Sequence, residues 1–145
     1  MMMEKQVLIF VRGEQFYDDM EPDTTELMTE GVMTIADDGA ISLTYEETEL
    51  TGMEGTPTRF LVRDDTVELT RTGGVNSQIV FQRGKRHSSL YETPWGMMLV
   101  DVVTTGLAHR LDSHGGLMEI QFNIAVDHQV TGQNRFKIRV REAAR

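Results

Sequence analysis

"GLMEIQFNIAV", residues 116–126, alternates apolar and polar side chains over most of its length. A period of two places successive side chains on opposite faces of a strand, so that one face is apolar and the other is polar. This segment therefore predicts a strand that lies half-buried in a sheet. Its apolar members are Met118, Ile120, Phe122, Ile124 and Val126, and they alternate with Glu119, Gln121, Asn123 and Ala125.

The same period recurs along the rest of the chain and is interrupted by turn-forming residues such as Asp37–Gly39. Strands with one apolar face, spaced by about 8–12 residues, are typical of an antiparallel up-and-down β-barrel, here of about eight to ten strands. We expect an all-β protein with a single barrel domain over residues 1–145. Only "GLAHRLD", residues 106–112, is expected to form a turn of helix. The other alternating segments are residues 6–12, 40–47, 58–64, 66–71 and 135–142.

"YETPWGMMLV", residues 91–100, concentrates two aromatic residues, a proline and a glycine in ten positions. Within it, Thr93-Pro94-Trp95-Gly96 has proline second and glycine fourth, which are the preferences of a type I turn. The flanking residues have the composition of strands. We interpret the stretch as a hairpin rather than as a site of chemistry.

The composition excludes several classes of function. The net charge is −9, whereas nucleic-acid binding requires Lys and Arg side chains that neutralise phosphates. No apolar run approaches the ~20 residues that cross a bilayer, and the N-terminus lacks the apolar segment of about 7–15 residues found in secretory signals. Cysteine is absent, which excludes disulfides and thiol chemistry. We expect a cytoplasmic protein with no nucleic-acid or membrane partner.

The charge is unevenly distributed along the chain. Residues 1–70 contain 17 acidic side chains and 4 Lys or Arg residues, whereas residues 71–145 contain 6 acidic and 10 basic ones. One interpretation is a polarised surface that steers a binding partner. The other is that acidic strands from the first half lie beside basic strands from the second half of a closed sheet.

No spacing typical of catalysis or metal binding occurs in the sequence. The four histidines, His87, His109, His114 and His128, form no H-x-H or H-E-x-x-H pair. Nucleophile elbows and glycine-rich phosphate loops are also absent. We therefore expect no metal, no cofactor and no catalytic residues.

Several phrases together resemble a known family. They include Tyr45-Glu46-Glu47, Thr51-Gly52-Met53, Arg71-x-Gly73, Tyr91-x-Thr93-Pro94-x-Gly96 and Gly115-Gly116. These residues are similar to those of the YwiB-like family of small bacterial proteins, over a range from about Glu4 to Glu142. Trp95 departs from the family pattern, in which tyrosine or phenylalanine is expected there, and so does Phe122-Asn123, where a tyrosine is more usual. The resemblance implies a calycin-like, or lipocalin-like, barrel and implies no activity.

Several polar residues are in phase with the inward-facing apolar residues of the predicted barrel. A carboxylate and a guanidinium in such a place must pair with each other or contact water or a ligand. These residues are either structural pairs that close the barrel end or polar anchors of a ligand cavity. The candidate ligand-binding residues are Tyr45, Glu47, Arg71, Tyr91, Thr93 and Thr104.

Two functions follow from these alternatives. In the first, the protein binds a small ligand inside the barrel, largely apolar or anionic because Arg71 is the strongest fixed donor there. In the second, side chains fill the barrel and the protein is an interaction module that uses its surface, for example as a homodimer.

Overall fold

Ten antiparallel strands make up most of the protein, described here by a computed structural model. The structure describes residues 3–16, 21, 23–46, 57–72, 77–93, 96–127 and 129–143, except for the side chains of residues 77, 90–93 and 128–131. No helix within these ranges is long and apolar enough to cross a membrane. The strands are β1 (Met3–Phe16), β2 (Asp23–Ile35), β3 (Ile41–Glu46), β4 (Pro57–Val62), β5 (Thr66–Arg71), β6 (Ser77–Gln82), β7 (Arg86–Thr93), β8 (Gly96–Asp112), β9 (Gly115–Val126) and β10 (Gln129–Glu142).

The strands form one sheet in the order β6-β5-β4-β3-β2-β1-β10-β9-β8-β7. Every strand except β6 and β7 has two hydrogen-bonded neighbours, and the first strand pairs with the last. The β6–β7 turn is held against β8: the Thr104 N–H donates to the Lys85 carbonyl at 3.2 Å, and the Gly84 N–H donates to the Thr104 carbonyl at 2.9 Å. The sheet curls so that its two edge strands, β6 and β7, approach each other. The Ser89 hydroxyl also donates to the Gln78 carbonyl at 3.2 Å. The predicted all-β barrel of eight to ten strands is thus confirmed as a nearly closed ten-stranded barrel.

The hairpin predicted at residues 91–100 is present. Strand β7 ends at Thr93, β8 begins at Gly96, and these two residues pair. Gly96 has φ of +120°, which favours glycine at this position. Pro94 and Trp95, on which the type I assignment depends, lie outside the described residues.

The helical turn expected at residues 106–112 is wrong, because this segment is the second half of β8. Leu107 is buried and Ala108 is exposed, so the segment follows a period of two rather than 3.6. Pairing with β9, from Gly106 opposite Gln121 to Asp112 opposite Gly115, supplies the backbone hydrogen bonds that the residues would otherwise make in a helix. A single helical turn is too short to be stable on its own.

The inward-facing side chains form one apolar core. Its buried members come from strands on every side of the barrel. Phe81, Phe122 and Phe136 form an aromatic cluster with ring centroids 4.8, 5.2 and 6.3 Å apart. The largest side chains with less than 2% exposure are Phe60, Phe81, Ile9, Met33, Leu43, Leu69, Met118, Ile120 and Ile138.

The seam between β1 and β10 joins the acidic half of the sequence to the basic half. Glu14 is paired in register with Arg135. The Nε and Nη2 groups of Arg135 donate to Glu14 Oε1 at 3.1 and 2.9 Å. At the other end of the seam, Lys5 Nζ lies 2.6 Å from Glu142 Oε1. The Glu14–Arg135 pair agrees with the interpretation that early acidic residues lie beside late basic ones, whereas the Lys5–Glu142 pair has the opposite polarity.

The Lys5–Glu142 pair predicts a pH-dependent contribution to stability. The hydrogen bond that Lys5 donates, followed by the positive charge of Lys5, holds the pKa of Glu142 below its ordinary value. A lowered carboxyl pKa stabilises the fold above the unfolded-state pKa, and this stabilisation disappears as the pH falls through the folded-state pKa. Lys5→Gln should therefore lower the free energy of unfolding near neutral pH and have little effect near pH 2, as measured by urea denaturation. Lys85→Gln, on an exposed turn, is the matched control, and an equal effect of both substitutions at neutral pH would contradict the assignment.

Candidate functional site

The two ends of the barrel differ in their connections. Because the strands alternate in direction, the β1–β2, β3–β4, β5–β6, β7–β8 and β9–β10 connections meet at one end, which we call the loop end. The other four connections are short turns at the opposite end. The longest connection, residues 47–56 between β3 and β4, is at the loop end. Binding sites of β-barrels commonly lie at such mouths.

A row of polar side chains crosses β3, β4 and β5 at the loop end. Tyr45 pairs in register with Thr58, and Thr58 pairs with Arg71. Tyr45 and Thr58 are buried, with 5% and 1% exposure, whereas Arg71 is partly exposed. All three are in phase with buried apolar residues of their own strands, so they belong to the inner face. None of the three lacks an interaction partner.

Apolar residues lie directly beneath this polar row. The next row, on the side away from the loop end, consists of Leu43, Phe60 and Leu69, which are paired in register and almost fully buried. The ring of Tyr45 stacks on that of Phe60, with centroids 6.4 Å apart and planes at 22°. Tyr45, Thr58 and Arg71 therefore form a polar layer over an apolar floor, an arrangement that suits a ligand with one polar and one apolar part.

Thr104 belongs to a different part of the interior. It is 1% exposed on β8, opposite Phe122 of the aromatic cluster. Its hydroxyl oxygen is buried and has no hydrogen-bond partner among the described residues. Leaving a buried hydroxyl unsatisfied costs about 1–3 kcal/mol. The structure does not place Thr104 in the polar row, although its inward orientation agrees with the sequence.

The other candidate residues are only partly described. Glu47, the expected partner of Arg71, lies outside the described residues. Tyr91 and Thr93 are in β7, opposite Met98 and Gly96 close to the loop end, but their side chains also lie outside the described part. The sequence analysis missed Thr58, whose alternation with buried Phe60 and Val62 carried the same inward signal. No group of three possible metal ligands occurs among the described residues.

Comparison with known proteins identifies the family. Residues 9–138 match a family model described as "Domain of unknown function (DUF1934)". The chain belongs to the DUF1934 family. The fold of this DUF1934 protein is similar to that in the crystal structure of ywiB protein from Bacillus subtilis, with a TM-score of 0.81 and 19% sequence identity, covering 97% of this chain and 94% of that one. At that identity the likeness shows the shared fold alone, in agreement with the resemblance to YwiB-like proteins. No curated protein matches the sequence.

Proposed function

We propose that this DUF1934 protein is a small-ligand-binding protein whose site lies at the loop end of the barrel. The observation that supports the proposal is the inner-face row of Tyr45, Thr58 and Arg71 over an apolar floor. The residues of the apolar row beneath are almost fully buried, which supports a shallow site and a small ligand.

The chemistry of the row selects the ligand class. Arg71 offers a planar set of donors that fits a carboxylate or phosphate in a bidentate manner. The phenol of Tyr45 and the hydroxyl of Thr58 both donate and accept hydrogen bonds, and the Phe60 ring beneath them is apolar. We infer a small anion with an apolar portion, bound in the cytoplasm of a bacterial cell. Glu47, Tyr91 and Thr93 are proposed to complete the polar contacts, and Thr104 to lie deeper in the barrel.

The proposal predicts a ligand-dependent stabilisation that requires Arg71. Thermal unfolding of the purified protein would be followed against a panel of short- and medium-chain carboxylates and phosphate monoesters. A ligand present at about 100 times its dissociation constant stabilises by about 2.7 kcal/mol, or roughly 5–10 °C for a domain of this size. Arg71→Gln should abolish that shift, and Tyr45→Phe should reduce it.

Arg59→Gln is the matched control for Arg71→Gln. Arg59 lies on the same sheet next to Thr58, but it is exposed on the outer face, where it donates to the Ser42 hydroxyl at 3.1 Å. This variant should retain the full ligand-induced shift. If no compound of either class raises the melting temperature, or if the shift persists in Arg71→Gln, the loop-end site is refuted.

A further inference from the structure

A groove crosses the outer face of five consecutive strands, β2, β1, β10, β9 and β8. It encloses about 930 Å³ and lies on the opposite side of the sheet from the polar row at the loop end. Two cross-strand rows provide its side chains, and both follow directly from the strand register. The first row contains Met28, Phe10, Arg139, Leu117 and Arg110, and the second contains Glu26, Arg12, Lys137, Glu119 and Ala108.

The groove contains large apolar side chains that are exposed to solvent. Met28 is 63% exposed and Leu117 is 59% exposed, and both are among the most exposed large apolar residues of the described chain. Phe10 lies between them in the same row and is partly exposed. Isolated exposed apolar residues are ordinary, but a cluster of them within a concave, charged surface is typical of an interaction site.

Among the described residues, three basic side chains of the groove form no ion pair, and one of them, Lys137, lies in register opposite Glu119. Arg110, Lys137 and Arg139 make no ion pair with any carboxylate of the described residues. Arg12 is different, because its Nη1 lies 3.5 Å from Glu26. In a protein of net charge −9, an uncompensated basic cluster is a local exception that attracts carboxylates at short range.

The position of Arg139 is suited to carboxylate binding. Its guanidinium carbon lies 4.8 Å from the centroid of the Phe10 ring, which is the geometry of a cation–π contact. Arg141 also lies over this ring, with its guanidinium carbon 5.6 Å from the centroid. A guanidinium held against an aromatic ring still has N–H groups that can form a bidentate pair with a carboxylate. Phe10 therefore orients Arg139 before a partner binds, which reduces the entropy lost on binding.

The shape of the groove discriminates among occupants. The same face of a second copy is also concave and carries the same cations, so two copies do not fill each other. Nucleic acid requires cations along an extended length of its backbone, whereas this groove offers a few cations over the width of five strands. Five strands at ~4.8 Å spacing give a length of about 19 Å, which matches about six residues of extended polypeptide.

We propose that this groove binds an extended polypeptide segment of about six residues, rich in Asp or Glu and bearing one or two large apolar side chains. Carboxylates of the segment contact Arg110, Arg139 and Lys137, and its apolar side chains cover Met28 and Leu117. Each strand of the groove is hydrogen-bonded to two neighbouring strands, so the segment cannot pair with the sheet through its backbone. Side-chain contacts therefore supply both the affinity and the specificity for the segment. The groove is thus an interaction surface independent of the small-ligand site at the loop end.

The test uses the full-length protein and an immobilised hexapeptide library randomised over Asp, Glu, Lys, Ser, Leu and Phe. Sequences that combine acidic and apolar residues should be enriched. Arg110→Gln with Arg139→Gln should weaken binding of the enriched peptides at least tenfold, in fluorescence anisotropy with labelled peptide, and added salt should weaken binding to the unmodified protein. Both arginines are exposed, so the double variant should keep its melting temperature.

Arg83→Gln with Lys85→Gln removes the same two charges from an exposed turn and should leave peptide affinity unchanged. Absence of enrichment, enrichment of lysine-containing peptides, or equal affinities for both double variants would overturn the proposal. Binding of the protein to vesicles containing an anionic phospholipid, with loss of that binding in Arg110→Gln/Arg139→Gln and no peptide enrichment, would assign the groove to a lipid surface instead.

Discussion

Gly116→Ala is expected to destabilise the protein by about 2–6 kcal/mol, a large part of the stability of an ordinary domain. Gly116 has φ of +140°, a backbone conformation that residues with a β-carbon rarely adopt. A β-carbon at this position would also overlap the carbonyl oxygen of Arg110 on the neighbouring strand. Because the obstructing atom belongs to the backbone, β8 and β9 would have to separate where they pair.

Gly39→Ala separates the two causes. Gly39 also has a positive φ, +89°, but nothing lies within 4 Å of its virtual β-carbon. This variant should show only the conformational cost, about 1–3 kcal/mol. Urea denaturation of both variants gives the difference, which measures the overlap with Arg110. Equal losses of unfolding free energy in the two variants would show that the β8–β9 hairpin accommodates the added β-carbon without a further loss of stability.

Phe81→Ala is expected to cost about 3–5 kcal/mol, because it removes a fully buried ring from the aromatic cluster. Phe81→Leu keeps most of the volume and should cost less than about 1.5 kcal/mol. The comparison reports on the packing of the barrel interior. If side chains already fill the interior, removing the ring abolishes its packing contacts and the loss of stability is large. If the interior holds an open cavity, the ring has fewer contacts to lose and the loss of stability is small.

The space left by Phe81→Ala should also accept a small apolar molecule. Engineered apolar cavities of about 150 Å³ stay dry and bind benzene. Benzene should therefore raise the melting temperature of Phe81→Ala and leave that of the unmodified protein unchanged. A loss below about 1 kcal/mol on truncation, or stabilisation of the unmodified protein by benzene, would show that the interior beside Thr104 is open.

Most of the fold could be predicted from local alternation. Segments such as residues 116–126 have one apolar face, and burial of that face is possible only in a sheet. Residues 106–112 were wrongly expected to form a helical turn, because alternation is weak in that segment. Gly106 follows an irregularity in the β8–β9 register. A bulge shifts the side-chain phase by one residue, so an alternation counted along the sequence does not continue through it.

The candidate site was less predictable than the fold. Alternation correctly placed Tyr45 and Thr104 on the inner face, since each follows buried neighbours on its own strand. It could not show that they belong to separate cross-strand rows, because a row depends on register among distant strands. The outer groove was still harder to predict, because it depends on three strand pairings, β2–β1, β1–β10 and β10–β9. Only these pairings make neighbours of Met28, Phe10, Arg139 and Leu117.

The seam between β1 and β10 has a consequence for the order of folding during synthesis. Strand β1 is the first of the ten strands to be synthesised, yet its partner on one side is the last of them, so Glu14 meets Arg135 only after β10 has been made. Until then, β1 is an edge strand whose Val7 and Ile9 would continue the apolar face of an unfinished sheet. We expect the β1–β6 meander to form from local hairpins and to remain open at this edge. Nascent chains that end before β10 should therefore be the most prone to associate through β1.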